Sequence, residues 1–258
     1  MTIPQINVVA GPAGSGKTTW ICSDMTNNVS TENILYFSPG TVNVPIDQTR
    51  IAAEYPHVKV LDDGQEIEFL NQLSTASVVY IELGFYLELS AINQILDDLP
   101  YRAIALIPPH LENSEWHAWA QEIIPGIDAK IELAQTRLWR APATGQVLDE
   151  DSLQEFWYEL THGAYGSVAR AKGIFDVADG RAIKGDFVAG AAQSEFIELN
   201  LPRHLEGRPE RFSGIEILGH NLDDVSLRQT LVDCCLSDAA ILQYQAQVKE
   251  MLAEGVTE

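Results

Sequence analysis

The residues near the N-terminus whose types and spacing point to chemistry are Gly11-Pro12-Ala13-Gly14-Ser15-Gly16-Lys17-Thr18. They fit the pattern G-x-x-x-x-G-K-[ST]. Glycines at positions 11, 14 and 16 let backbone N–H groups converge on anionic oxygens with no Cβ in the way. A helix that starts here adds the partial positive charge of its N-terminus. In such a loop Lys17 reaches the β- and γ-phosphates of a nucleoside triphosphate, and the Thr18 hydroxyl is a ligand for Mg²⁺. A second element supports this reading. Val78-Val79-Tyr80-Ile81-Glu82 is an apolar run ending in a carboxylate, with Gly84 just beyond. An acid at that place holds Mg²⁺ or its water, or orients an attacking water. Lys17 and Glu82 are therefore the candidate catalytic residues.

The segments around these residues must place them. Short apolar runs at Ile6–Ala10, Ile34–Phe37, Val58–Leu61, Val78–Leu83, Ala103–Ile107 and Lys130–Leu133 read as strands. Several are nearly continuous in Val, Ile and Leu, as strands covered on both faces are. Helical patterns lie between them, from Lys17 to about Met25 and over Gln48–Glu54, Gln65–Leu73, Leu89–Leu96 and Glu115–Ile123. This alternation predicts an α/β fold, a mostly parallel sheet flanked by helices, over residues 1–148. Trp139 to Gly145 has the Pro, Gly and small residues of a connector. A smaller α+β domain is expected over 149–258. Its first helix runs from Asp149 to Leu160, and its strands lie around Val168–Val177, Lys184–Val188, Phe196–Leu199 and Ile215–Leu218. Closing helices are expected at Asp223–Cys234 and Asp238–Leu252.

Charge and composition narrow the function classes. Hydrophobic residues make up 46% of the 258, enough to fill a core, and the formal charge is −21. The acid excess is shared by both halves, so neither offers the basic field that a phosphate backbone or an anionic membrane surface requires. Nucleic acid is not an expected partner. No apolar run approaches the roughly 18 residues of a membrane span, so no membrane insertion is expected. Three cysteines, Cys22, Cys234 and Cys235, do not make a disulfide framework and fit a reducing, cytoplasmic setting. They read as core residues. The histidines at 57, 110, 117, 162, 204 and 220 show no metal-ligand spacing.

Taken together, the motifs resemble the CobW family of GTPases, which handle metals and cobalamin cofactors. Gly11–Thr19 is similar to that family's phosphate loop, which adds Thr19 to the nucleotide-binding residues. Thr41-Val42-Asn43-Val44-Pro45-Ile46-Asp47 resembles its segment ending in Ile-Asp, and the resemblance implies that Asp47 helps hold Mg²⁺ with Thr18 and Glu82. Ile81-Glu82-Leu83-Gly84 looks like a shortened Glu-Thr-Ser-Gly motif. Arg170-Ala171-Lys172-Gly173-Ile174-Phe175 resembles the family's Arg-Ala-Lys-Gly strand, and Ile217 to Asp223 with Leu227 to Leu236 its closing strand and helix. The sequence departs from the family in three places. Gln65-Glu66-Ile67-Glu68 stands where Cys-x-Cys-Cys would be, so no transition-metal site is expected there. Pro108-Pro109-His110-Leu111 stands where a guanine-reading Asn-Lys-x-Asp would fall, and a strand–helix unit after Glu82 is missing or compressed.

The resemblance implies Mg²⁺-dependent binding of GTP (or ATP), slow hydrolysis, and a C-terminal domain that holds or releases a protein client in a chaperone or assembly role. A non-hydrolysing nucleotide-binding scaffold is the alternative. A small-molecule kinase is a third reading that lacks an Arg-rich lid. Arg170 and Lys172 lie two apart on one strand and so share a face, which could meet an acidic partner or the nucleotide. Arg137 and Arg140 read as salt-bridge partners.

Overall fold

The computed structural model describes residues 4–27, 33–40, 44–96, 99–128, 136–191 and 196–255. The expected strand at Lys130–Leu133 and the first three residues of the Thr41–Asp47 segment lie outside them. The chain divides into two compact units, Met1–Ile131 and Glu132–Glu258, earlier than the 148/149 division expected from composition.

The first unit is a six-stranded, wholly parallel sheet. Its strands are β1 (Gln5–Ala10), β2 (Ile34–Phe37), β3 (Lys59–Leu61), β4 (Val78–Glu82), β5 (Arg102–Ile107) and β6 (Glu122–Pro125), in the order β3-β2-β4-β1-β5-β6. Helices α1 (Lys17–Asn27), α2 (Ile46–Glu54), α3 (Glu66–Leu73), α4 (Ala91–Leu96) and α5 (Glu115–Trp119) connect them. Side chains alternate faces along a strand, and the two faces have separate cores. On one, Val9, Tyr36, Tyr80 and Ile104 meet Ile21, Cys22 and Met25 of α1 and Ile51 of α2. On the other, Val8, Phe37, Val79 and Ile81 meet Phe69 and Leu73 of α3 and Ile92 and Leu96 of α4. Burial on both faces is why these strands read as unbroken apolar runs.

The helix expected over Glu115–Ile123 ends at Trp119, and Glu122–Pro125 pairs with β5 as an edge strand. β-Branched Ile123 and Ile124, followed by Pro125, favour extended backbone over helix. The compressed strand–helix unit is thus a five-residue helix and a four-residue strand.

The second unit is a five-stranded sheet of order β10-β9-β8-β11-β7, antiparallel throughout. It comprises β7 (Arg137–Pro142), β8 (Ser167–Asp176), β9 (Ala182–Val188), β10 (Ile197–Glu198) and β11 (Gly214–His220), with helices α6 (Glu150–Thr161), α7 (Asp224–Asp233) and α8 (Asp238–Gly255). The stretch read as a connector supplies β7. Pro142 is tolerated because it ends an edge strand. Asp149 caps α6 by accepting from the Ser152 N–H at 3.0 Å. One sheet face packs Trp139, Ala171, Phe175 and Ile217 against Leu153 and Phe156 of α6 and Leu227 and Leu231 of α7.

The alternate positions carry a charge row. Glu216 on β11 lies between Arg140 on β7 and Lys172 on β8, with nitrogen–oxygen distances of 2.7 and 3.4 Å. Burial pushes the Glu216 carboxyl up, but Lys172, Arg140 and Arg170 outweigh burial and hold it below the ordinary carboxylate range. Lys172 is buried and paired, so this face is not a solvated one. Arg137, as expected, pairs with a carboxylate, that of Asp224.

The cysteines behave as small hydrophobes. Cys22 lies in the α1 core, and burial pushes its thiol up to about 11. Burial likewise pushes Cys234 up to about 12 and raises Cys235. An unperturbed thiol near 8.5 is roughly a quarter thiolate at pH 8, whereas one near 11 holds about 0.1%. The folded protein is therefore expected to resist iodoacetamide at pH 8 over a period in which the urea-unfolded chain takes up three equivalents. Mass spectrometry reads the difference, and rapid labelling of Cys22 in the folded state would contradict this packing.

Candidate nucleotide site

Two neighbouring strand ends place the candidate residues. β1 and β4 run parallel in register, with Val9 opposite Glu82, so the loop leaving β1 and the carboxylate ending β4 emerge side by side. This is the carboxyl edge of an open parallel sheet, where such folds bind ligands.

The loop is built on backbone conformations that suit glycine. Gly11, Gly14 and Gly16 have φ of 147°, 74° and 91°. A Cβ on Gly11 would lie 2.3 Å from the Leu106 carbonyl oxygen of β5. From the far side, the Ile127 N–H donates to the Ser15 carbonyl at 3.1 Å, and the Gly126 N–H donates to the Ile107 carbonyl at 2.9 Å. A Cβ on Gly126 would approach the Ser15 carbonyl to 3.1 Å. The turn after β6 thus braces the loop, a role that the sequence alone did not suggest for Gly126 and Ile127.

Within the loop, the Lys17 ammonium folds back and donates to the Gly11 and Pro12 carbonyls at 3.1 and 3.2 Å. Ala13, Gly14 and Ser15 are buried, Pro12 and Gly16 half-buried, and Thr19 is exposed one residue into the first turn of α1 beyond Thr18. Among the described residues the buried Ser15 hydroxyl oxygen has no hydrogen-bond partner, which an anionic oxygen seated in the loop can supply.

The Thr18 hydroxyl donates to Glu82 Oε1 at 2.9 Å. Both residues are buried. The Tyr36 hydroxyl donates to Glu82 Oε2, also at 2.9 Å. Burial first, then the charges of Glu82 and Asp47, push the Tyr36 phenol well above its ordinary range, so it stays a protonated donor. The Ser38 hydroxyl donates to the Glu82 carbonyl at 3.1 Å, and the Gln48 amide donates to the Ser38 carbonyl at 3.3 Å. Asp47 occupies the first turn of α2, half-buried and near enough to bear on Tyr36 and Arg50.

The structure therefore brings Thr18 and Glu82 into direct contact, with Asp47 in the same electrostatic neighbourhood. Tyr36, Ser38 and Gln48 are members of this cluster that no motif marks. None of the three carries a sequence signal for this role; Tyr36 reads as one more core residue of an apolar strand.

Among the described residues, no group of three or more His, Cys, Asp and Glu side chains could hold a metal ion by itself. The donors present are hard oxygens, one hydroxyl and two carboxylates. That set suits Mg²⁺, which keeps its waters and takes one or two protein oxygens together with substrate phosphates. Because Thr18 gives its proton to Glu82, its lone pairs remain available to a cation. Gln65, Glu66 and Glu68 are instead engaged with one another, with nearby backbone and with Lys59 at the start of α3. After β5, His110 pairs with Asp128 across the turn after β6. No helix among the described residues is long and apolar enough to cross a membrane.

No family model matches the chain, and no curated protein matches it. Among solved structures, the Zn(II)-bound YjiA GTPase from E. coli is similar over 91% of this chain and 99% of that one, at 12% identity and a TM-score of 0.32. A Zn(II)-bound triple mutant of YjiA gives the same figures. A likeness of that degree carries no inference about what this chain binds.

Proposed function

We propose that this protein binds a Mg²⁺–nucleoside triphosphate, GTP in preference to ATP, and hydrolyses it slowly. In this reading the nucleotide state is passed to the second unit (Glu132–Glu258), which holds or releases a protein client. The observation that carries the reading is the braced glycine loop, with Lys17 inside it and Thr18 bonded to Glu82. The GTP preference and the client rest on the motif resemblance to the CobW family.

The chain's own groups have defined tasks. Loop N–H groups and the start of α1 receive the phosphate oxygens, and the Lys17 ammonium exchanges its two carbonyl partners for β- and γ-phosphate oxygens. Thr18 and Asp47 would hold Mg²⁺, with Glu82 beside them; the ion, when bound, neutralises charge on the β- and γ-oxygens. Glu82 anchors Thr18. Its place at the carboxyl end of β4, beside the loop, suits Glu82 to orient an attacking water. Contact between Asp47 and the ion, made only with nucleotide bound, would link nucleotide state to client binding.

The test is a panel of GTP and ATP, each with Mg²⁺ and with EDTA, measuring binding by calorimetry and phosphate release in parallel. We expect Mg²⁺-dependent binding of GTP above ATP and multiple turnovers at a low rate. Failure to bind either nucleotide rejects the proposal. Binding without release of phosphate favours the scaffold reading, which the Pro108–Leu111 and Gln65–Glu68 departures support.

A further inference from the structure

Tyr36 sits in the centre of β2, fully buried, in register with Tyr80 on β4. Phe would fill the same ring volume, and burying a phenolic hydroxyl is costly unless it is hydrogen-bonded. The two tyrosines divide their work. The Tyr80 hydroxyl donates to Asp24 of α1 at 2.5 Å, whereas the Tyr36 hydroxyl donates to Glu82 Oε2. Thr18 takes Glu82 Oε1. One hydroxyl on each oxygen fixes the carboxylate in place and in rotation, because turning it breaks one bond or the other. Ser38 holds the backbone carbonyl of the same residue, so the end of β2 grips Glu82 by main chain and side chain.

We propose that Tyr36 is a positioning residue. By holding Glu82 as an acceptor on both oxygens, it directs the Thr18 proton inward and the Thr18 lone pairs outward, and so sets the affinity of the nucleotide site for its divalent cation. This rests on the reading of Gly11–Thr18 as a nucleoside triphosphate site. Tyr36 belongs to none of the motifs that carry that reading. Removing the hydroxyl leaves Glu82 Oε2 short of a donor in a buried place and lets the carboxylate turn away from Thr18. The nucleotide's contacts with the loop backbone and Lys17 are untouched, so the effect should be confined to the cation.

The experiment is a Mg²⁺ titration of GTP binding to the full chain, wild type against Tyr36→Phe, with a parallel measurement in EDTA. The expected result is an unchanged affinity in EDTA, within about twofold, and a rise of about tenfold in the Mg²⁺ concentration giving half-maximal enhancement, the size of a lost hydrogen bond to a charged group. In a double-mutant cycle, Tyr36→Phe should add nothing once Glu82→Gln is present, because Tyr36 acts through that carboxylate. Superimposable Mg²⁺ curves would overturn the proposal, and so would additive effects in the cycle. An equal loss of affinity in EDTA would mark a structural role instead. If wild type binds GTP but shows no Mg²⁺ effect, the positioning role fails while the phosphate loop stands. If wild type binds no triphosphate, both fail. Should Tyr36→Phe yield no folded protein, Tyr36→Leu, checked for a native melting transition, undergoes the same titration.

Discussion

Replacing Lys17 with Ala should lower triphosphate affinity by roughly a hundredfold, about 3 kcal/mol, while the protein stays folded. The ammonium is buried in the loop and donates to two carbonyls of the same turn. A carbonyl is a weaker partner for it than an anionic phosphate oxygen, so the exchange on binding favours the ligand, and the charge-assisted bonds to phosphate are what the substitution removes. Alanine suits the first position of α1, where Lys17 stands, so the helix has no reason to unwind. Calorimetric titration with Mg²⁺ and each triphosphate measures the affinity, and a thermal melt checks the fold. An affinity within threefold or so of wild type would remove the foundation of the proposed function.

Gly11→Ala should be the most damaging single-methyl change in the first unit, costing on the order of 3 kcal/mol of stability as well as nucleotide binding. Two penalties coincide there. The backbone has φ of 147°, and the added carbon would meet the Leu106 carbonyl of β5 at 2.3 Å. That neighbour is main chain in the strand beside β1, so relief means moving a strand rather than a side chain. Gly16→Ala is the internal contrast. Its φ is 91°, but the nearest atom is the tip of the Ile127 side chain at 3.3 Å, which can shift. Gly64→Ala meets nothing within 4 Å and should cost only the backbone term, about 1 kcal/mol. Urea unfolding of the three variants should rank them in this order. A Gly11→Ala protein as stable as Gly64→Ala would mean that β5 does not brace the loop.

These contrasts show what a linear reading can and cannot find. The loop, its strand and its helix are contiguous, so spacing alone located them. Glu82 was legible because a carboxylate at the end of four apolar residues stands out. Tyr36 was not, because the bond that defines its role joins residues 46 apart in sequence, and only the pairing of β2 with β4 brings them together. Asp47 was reached only through family resemblance; the structure places it near Tyr36. The two secondary-structure misreadings have different causes. In Trp139–Gly145 the proline and glycine argue for a connector when read alone, yet Arg137–Pro142 forms an edge strand that needs few donors, whereas Glu122 and Ile123 read as the end of the preceding helix although they begin an edge strand. The charge row of Arg140, Glu216 and Lys172 was half legible. Alternation placed Arg170 and Lys172 of β8 on one face, but only cross-strand register put Glu216 between Lys172 and Arg140.

The central position of β1 also governs how this molecule can be made. This strand precedes both of its neighbours along the chain, ending at residue 10, whereas β4 and β5 end at residues 82 and 107. A ribosome adding about 5–20 residues per second needs roughly 5 to 20 seconds to supply them. During that interval an apolar segment and its glycine turn wait with no partner on either side, in a topology whose long-range parallel pairing is slow to close. The nascent chain therefore carries its ligand loop unformed and β1 uncovered until both neighbours have emerged, which makes that interval the stage at which this unit most needs protection from its neighbours.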